Sequence, residues 1–144
     1  MTPIIDIADA VTAELNAVES PLASLATARR AYRPVFDLKE MKDLHVTVVP
    51  RGVERSTAGR GLAQREVQID IGIQKKPAEL SQAELDGLMA LVENIADYLR
   101  GRRLGLTPEA VWVKTENAPI FAPEHLEQWR QFTSVLTLTY RVMP

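Results

Sequence analysis

The 144-residue chain has no cysteine, two histidines and few aromatic side chains. Without cysteine there is no disulfide, no thiolate nucleophile and no cysteine-ligated zinc, although the absence suits reducing and oxidising compartments alike. His45 and His125 are far apart and lack the close spacing of a helical zinc motif, so no metal and no cofactor is expected. His45 falls out of phase with its apolar neighbours and His125 stands among Glu124 and Glu127, which assigns both to surface or interface positions. No apolar run approaches the ~18 to 20 residues that cross a bilayer. Asp6, Asp9 and Glu14 interrupt the first apolar segment, so neither an export leader nor membrane contact is expected. There is also no excess of basic charge: 17 Lys and Arg against 19 Asp and Glu leave a net charge of −2, which argues against a general nucleic-acid binder.

Catalytic signatures are missing too. Ser56-Thr57-Ala58-Gly59 does not form the Gly-x-Ser-x-Gly elbow that exposes a nucleophilic serine, and Arg51 to Gly61 lacks the Lys-Ser or Lys-Thr ending of a phosphate-binding loop. Glu14, Glu84, Glu93 and Asp97 occupy positions suited to exposed helix faces, and sequence proximity alone does not push their proton affinities apart. No catalytic residue is assigned.

What is present is an ordinary globular composition, 46% hydrophobic and 25% charged. A chain of this length buries roughly two-thirds of its unfolded surface in a single core, so residues 1–144 are read as one domain. Ile4, Ala8, Val11, Leu15 and Val18 recur at helical spacing with Asp6 and Asp9 near the positive end of the helix dipole, which predicts a helix over 4–17 ended by Pro21. Pro34 makes any strand over 28–36 an edge or irregular one, and 37–42 can form one helical turn.

From Leu44 the period becomes two. Leu44, Val46 and Val48, and later Val67, Ile69, Ile71 and Ile73, alternate as in strands covered on one face. Arg51 to Gly61 is read as a polar loop between them, too long for a tight hairpin and of a length that is usually functional or disordered. Ser81-Gln82-Ala83-Glu84 is a capping box opening a long helix, whose stripe is Leu85, Leu88, Val92, Ile95 and Leu99 and whose end is Gly101. A strand follows around Val111 and Val113, then a segment broken by Pro119 and Pro123. Thr133 to Val142 closes the chain with Leu136, Leu138, Tyr140 and Val142 on one face. Together these elements predict an α+β fold: a two-layer sandwich of a mainly antiparallel sheet with two helices on one face. Gln68, Asp70, Thr137 and Thr139 then belong to the opposite, polar face.

Charge is uneven along the chain. The first twenty residues hold Asp6, Asp9, Glu14 and Glu19 and no base, whereas Arg29 to Arg65 holds nine bases against Asp37, Glu40, Asp43 and Glu54. Such patches suit contact between copies. Trp129 beside Arg130 is a further candidate contact, because both residue types are enriched among interface anchors.

The element order, the phrase Phe36-Asp37-Leu38-Lys39-Glu40-Met41-Lys42-Asp43-Leu44-His45-Val46-Thr47-Val48-Val49-Pro50 and the closing Thr137-Leu138-Thr139-Tyr140 strand resemble the tail-terminator or tail-completion proteins of long-tailed bacteriophages. The resemblance spans most of the chain. It implies a non-enzymatic virion protein of the tail or neck, assembled in the host cytoplasm, whose homo-oligomeric ring, a hexamer, caps the tail tube, ends tail polymerisation and joins the tail to the head connector. The implied partners are other copies of the chain, the tail tube protein and the connector protein, with non-specific contact to DNA passing through the lumen. By position, Arg51, Arg55 and Arg60 would face the lumen or an axial partner. Asp6, Asp9, Glu14, Arg29, Arg30, Arg33, Trp129 and Arg130 are the candidate subunit interface. The alternatives are another neck or connector completion protein, a small-ligand or enzymatic α+β domain whose groups meet only in space, and a dimeric adaptor.

Overall fold

The computed structural model describes residues 3–32 and 43–142. Its elements run α1 (Pro3–Leu15), β1 (Ala28–Arg30), β2 (His45–Gly59), β3 (Leu62–Lys75), α2 (Gln82–Leu99), β4 (Val111–Glu116), α3 (Pro123–Trp129) and β5 (Phe132–Val142). The five strands form one sheet in the order β1-β2-β3-β5-β4, antiparallel except for the short parallel pairing of β1 with β2. This is the α+β sandwich that the alternation demanded. The turn expected over 37–42, and Arg33, lie outside the described residues.

β3 sits at the centre because its Val67, Ile69, Ile71 and Ile73 are all fully buried, on the same face as Leu136, Leu138 and Tyr140 of β5. Above that face α1 presents Ile7, Val11 and Leu15, and α2 presents Leu88, Val92, Ile95 and Leu99. α1 packs over β1, β2 and β3 while α2 packs over β5, so each helix covers one half of the sheet. A core truncation such as Ile71→Ala at such a site costs about 2–5 kcal/mol, the transfer term plus a cavity that relaxes only partly.

Local chemistry sets the ends of α2. Ser81 Oγ accepts from the Glu84 amide, as a capping box requires. The reciprocal half differs: the Glu84 carboxylate accepts from the amides of Ala78 and Glu79 and so ties down the connection from β3 instead of the cap residue. At the other end Gly101 takes φ +64°, a left-handed conformation that disfavours any residue with a Cβ.

Two features were not foreseen. α3 forms from the second proline of the segment broken by Pro119 and Pro123, with Pro123 in its first turn, and docks on the start of β5 through Ala122 N–H donating to the Thr133 carbonyl. The edge strand β4 is interrupted between Trp112 and Lys114 by a bulge, leaving Val111 exposed and Lys114 paired with Glu116 on its rim.

Tyr140 has its ring in the core, and its hydroxyl is buried without a hydrogen-bond partner among the described residues. Burial, with the negative field of Glu14 adding to it, pushes this hydroxyl far above the ordinary tyrosine range. An acid whose folded-state pKa is raised keeps its proton when the unfolded chain has lost it, so stability falls as pH rises past about 10. Tyr140→Phe is expected to leave neutral-pH stability unchanged or raised by about 1 kcal/mol. Denaturant titrations should show the wild type losing up to about 1.4 kcal/mol per pH unit more than the variant above pH ~10. A marked loss of stability in the variant at neutral pH would mean that the hydroxyl has a partner.

Candidate functional site

The segment Arg51 to Gly61 is not a loop. β2 continues through it, paired antiparallel with β3 from His45 opposite Gln74 to Gly59 opposite Leu62, and the connection is the two-residue Arg60-Gly61 turn. Gly61 takes φ +69° there, which only glycine adopts at little cost. Pro50 is accommodated because a register shift between Pro50 and Gly52 lets Arg51 bulge out, and bulges and edges are where a sheet admits proline. The period-two signal vanishes beyond Pro50 because both faces of the ribbon reach water: residues 54–57 and 59–63 are exposed.

Among the described residues, no other strand accompanies the ribbon near its tip. β5 accompanies β3 only as far as Val142 opposite Arg65, and β1 accompanies β2 only over Val46–Val48. Leu62, Ala63 and Gln64 therefore extend about 10 Å past the last described residue of β5, at ~3.3 Å per residue.

The three arginines expected to share one surface separate by role. Arg51 turns back onto the polar face, where Nη1 donates to Thr137 Oγ1 at 3.2 Å and lies 3.4 Å from Asp70 Oδ1, to which Thr137 Oγ1 itself donates at 2.7 Å. Arg55 and Arg60 remain on the arm, exposed, with no carboxylate partner among the described residues. Arg55 lies directly opposite Arg65, a like-charge pair that the hairpin tolerates at a cost.

Much of the acidic first helix is neutralised within the chain. Asp9 meets Arg30 at 2.6 Å. Glu14 accepts from Arg102 Nε at 2.6 Å and from the Gly105 amide, while Arg102 also reaches Glu19 at 2.9 Å and lies 4.2 Å over the Tyr98 ring. The Tyr98 hydroxyl donates to the Glu14 carbonyl, and its desolvation raises its pKa. Glu14 is thus a clamp between α1 and the chain after α2. Asp6 is half-buried in a small recess with Thr107 and Glu109. Arg29 is exposed on β1, and Arg130 is exposed in a left-handed conformation after α3. Trp129 closes the α3 backbone; its side chain is outside the described set.

The polar sheet face is less open than its composition implied. Thr139 and Thr137 are buried, and α3 approaches through His125 Nδ1, which lies 2.9 Å from Thr133 Oγ1. A cavity of about 520 Å³ remains there, bordered by Arg51, Gln68, Asp70, Glu116, Pro119 and Thr137. A second, of about 390 Å³, runs between α2 and β4 past Glu93, Asp97 and Trp112. Sequence reading missed this second groove because Glu93 and Asp97 looked like ordinary solvated helix positions. The signal available was that 82–99 carries four acids and no base. No group of acidic and histidine side chains suited to a metal ion occurs among the described residues.

The clamp and the surface pair should separate in mutants. Arg102→Ala removes two ion pairs and a ring contact around a largely buried carboxylate, whereas Arg30→Ala removes one solvated pair and a longer contact with the exposed Tyr32 ring, a class worth little. Thermal melts are expected to show a clear drop for Arg102→Ala and a smaller one for Arg30→Ala; the reverse order would show that Glu14 is not the stronger anchor.

No family model matches the sequence, and no curated protein matches it. In three dimensions the chain is similar to a protein of the native gene transfer agent virion particle, with a TM-score of 0.61 at 17% identity, covering 96% of this chain and 95% of that one. At this identity the likeness is one of fold, carried across nearly the full length of both chains.

Proposed function

We propose that the protein is a structural component of a phage-like virion, one that forms a ring on the end of the tail tube, ends tail polymerisation and joins the tail to the head connector. The observation that carries the virion role is the fold shared end to end with a chain of the gene transfer agent particle. The likeness runs over nearly the full length of both chains.

The assignment to the tail end rests on the resemblance in element order and phrase to tail-completion proteins. The geometry is compatible with work at surfaces. An arm projects from one end of the sheet, charged groups are exposed on it, and Arg51, Asp70 and Thr137 are engaged with one another. In a ring, a patch on one copy meets a different patch on the next and the rotation closes. Arg55 and Arg60 on the arm then face either the next copy or the lumen, where contact with passing DNA would be independent of sequence and sensitive to salt.

The purified protein, alone and with the tail tube protein from the same virion, is expected to give rings in negative-stain images and a matching multiple of the 16.0 kDa chain in mass photometry. A chain that stays monomeric in both conditions would overturn the reading. Rings that bind the connector and not the tube would place it instead among the connector-side completion proteins.

A further inference from the structure

Beyond the Pro50 bulge the ribbon is paired against its own charges. Glu54 stands directly opposite Glu66 and Arg55 directly opposite Arg65, and like charges at opposed positions destabilise a strand pair. Among the described residues Glu66 alone of these four has an ion-pair partner, Arg141 at 2.8 Å. The register that sets the two pairs runs from Gly52 opposite Gln68 to Thr57 opposite Ala63. A shift interrupts the ladder at each of its ends, between Pro50 and Gly52 and between Thr57 and Gly59, and both shifts leave the additional residue on β2. Residues 52–57 are therefore displaced by one position from the register of their own strand's root.

Carried on without the shifts, the root register places Val53 opposite Glu66, Glu54 opposite Arg65, Arg55 opposite Gln64 and Ser56 opposite Ala63. One attractive pair replaces two repulsive ones. Ala58 to Gly61 becomes a four-residue connection, a length that hairpins also use. Against this stands Val53, which in the described register is half-buried against the core beside the fully buried Val67 and would turn to the polar side. Residues 54–57 are exposed and have no burial to lose, and register is weakly specified where both faces of a strand are polar.

We infer that the distal ribbon has two registers, the described one, held by Val53 on the core, and a second, one residue away, favoured by Glu54 against Arg65. The root takes no part, because Val46 and Val48 are buried opposite Ile73 and Ile71. What changes is the charge on each face. In the described register Arg55 joins Arg65 on the core side and Glu54 joins Glu66 on the polar side, whereas in the second register each face carries one charge of each sign. A charged partner surface discriminates between the two and draws the ribbon into the register that sorts its charges. The inference rests on the chain's own pairing and not on the ring reading.

Because the chain has no cysteine, introduced pairs report the register directly. Positions 56 and 64 are opposite in the described register and 56 and 63 in the second, and residues on opposite faces of a ribbon are not bridged by a disulfide. Thr57→Cys with Gln64→Cys closes a loop of the same length as Ser56→Cys with Ala63→Cys but is directly opposed in neither register. Under mild oxidation, with bridges within one chain identified by peptide mapping, Ser56→Cys/Gln64→Cys and Ser56→Cys/Ala63→Cys are both expected to close, the latter about five-fold or more faster than Thr57→Cys/Gln64→Cys. Arg65→Glu makes the described pair with Arg55 attractive and the second-register pair with Glu54 repulsive. It is expected to slow closure between positions 56 and 63 about five-fold or more, to leave closure between 56 and 64 no slower, and to melt no lower than wild type.

Closure between 56 and 63 no faster than between 57 and 64 would mean fraying without a second register and overturn the inference. Closure between 56 and 63 that is indifferent to Arg65→Glu would overturn it as well. Neither result bears on the ring reading, which is scored separately by mass and imaging.

Discussion

The structure depends on β3. Its one face carries four fully buried aliphatic side chains, and both of its edges are paired over nearly its whole length, so the two helices and the remaining strands are all positioned relative to it. With a side-chain period of two, a slip of one residue would send that whole face into water, which fixes the register strongly over Val67 to Ile73. The arm inherits its direction from this rigidity. A hairpin tip is mobile alone, but one rooted in a register that cannot slide projects its arginines along a defined line.

Charge is sorted by location. Arg102 and the Gly105 amide hold the Glu14 carboxylate and the Tyr98 hydroxyl holds its backbone carbonyl, which binds the end of α1 to α2 and to the chain that leaves it. Along the polar face, Arg51, Asp70 and Thr137 satisfy one another, and Glu66 holds Arg141.

The legible parts of the sequence were those with one wet and one dry side. β3, β5, α1 and α2 each alternate between core and solvent, so periodicity marks them, and Ser81 and Gly101 mark the ends of α2 for reasons of hydrogen bonding and backbone sterics. The second half of β2 was illegible because a ribbon wet on both faces has no alternation to show, and its composition of Arg, Gly, Ser and Thr is that of a loop. α3 has seven residues, too few for a periodic stripe, and Pro119 and Pro123 at its approach argued for a break. The ion pairs of α1 were illegible for another reason: a run of acids in sequence says nothing about bases that arrive from far along the chain, as Arg30 does for Asp9 and Arg102 for Glu14.

The bulge in β4 has a consequence for how copies meet. An outermost strand with all its amides and carbonyls unclaimed is a template on which any other chain can zip, and that mode of sticking has no natural end point. In β4 the ladder is broken after Trp112, and Lys114 and Glu116 add charge beyond the break. Strand-to-strand addition along this edge is therefore disfavoured, which guards the outermost strand against open-ended pairing.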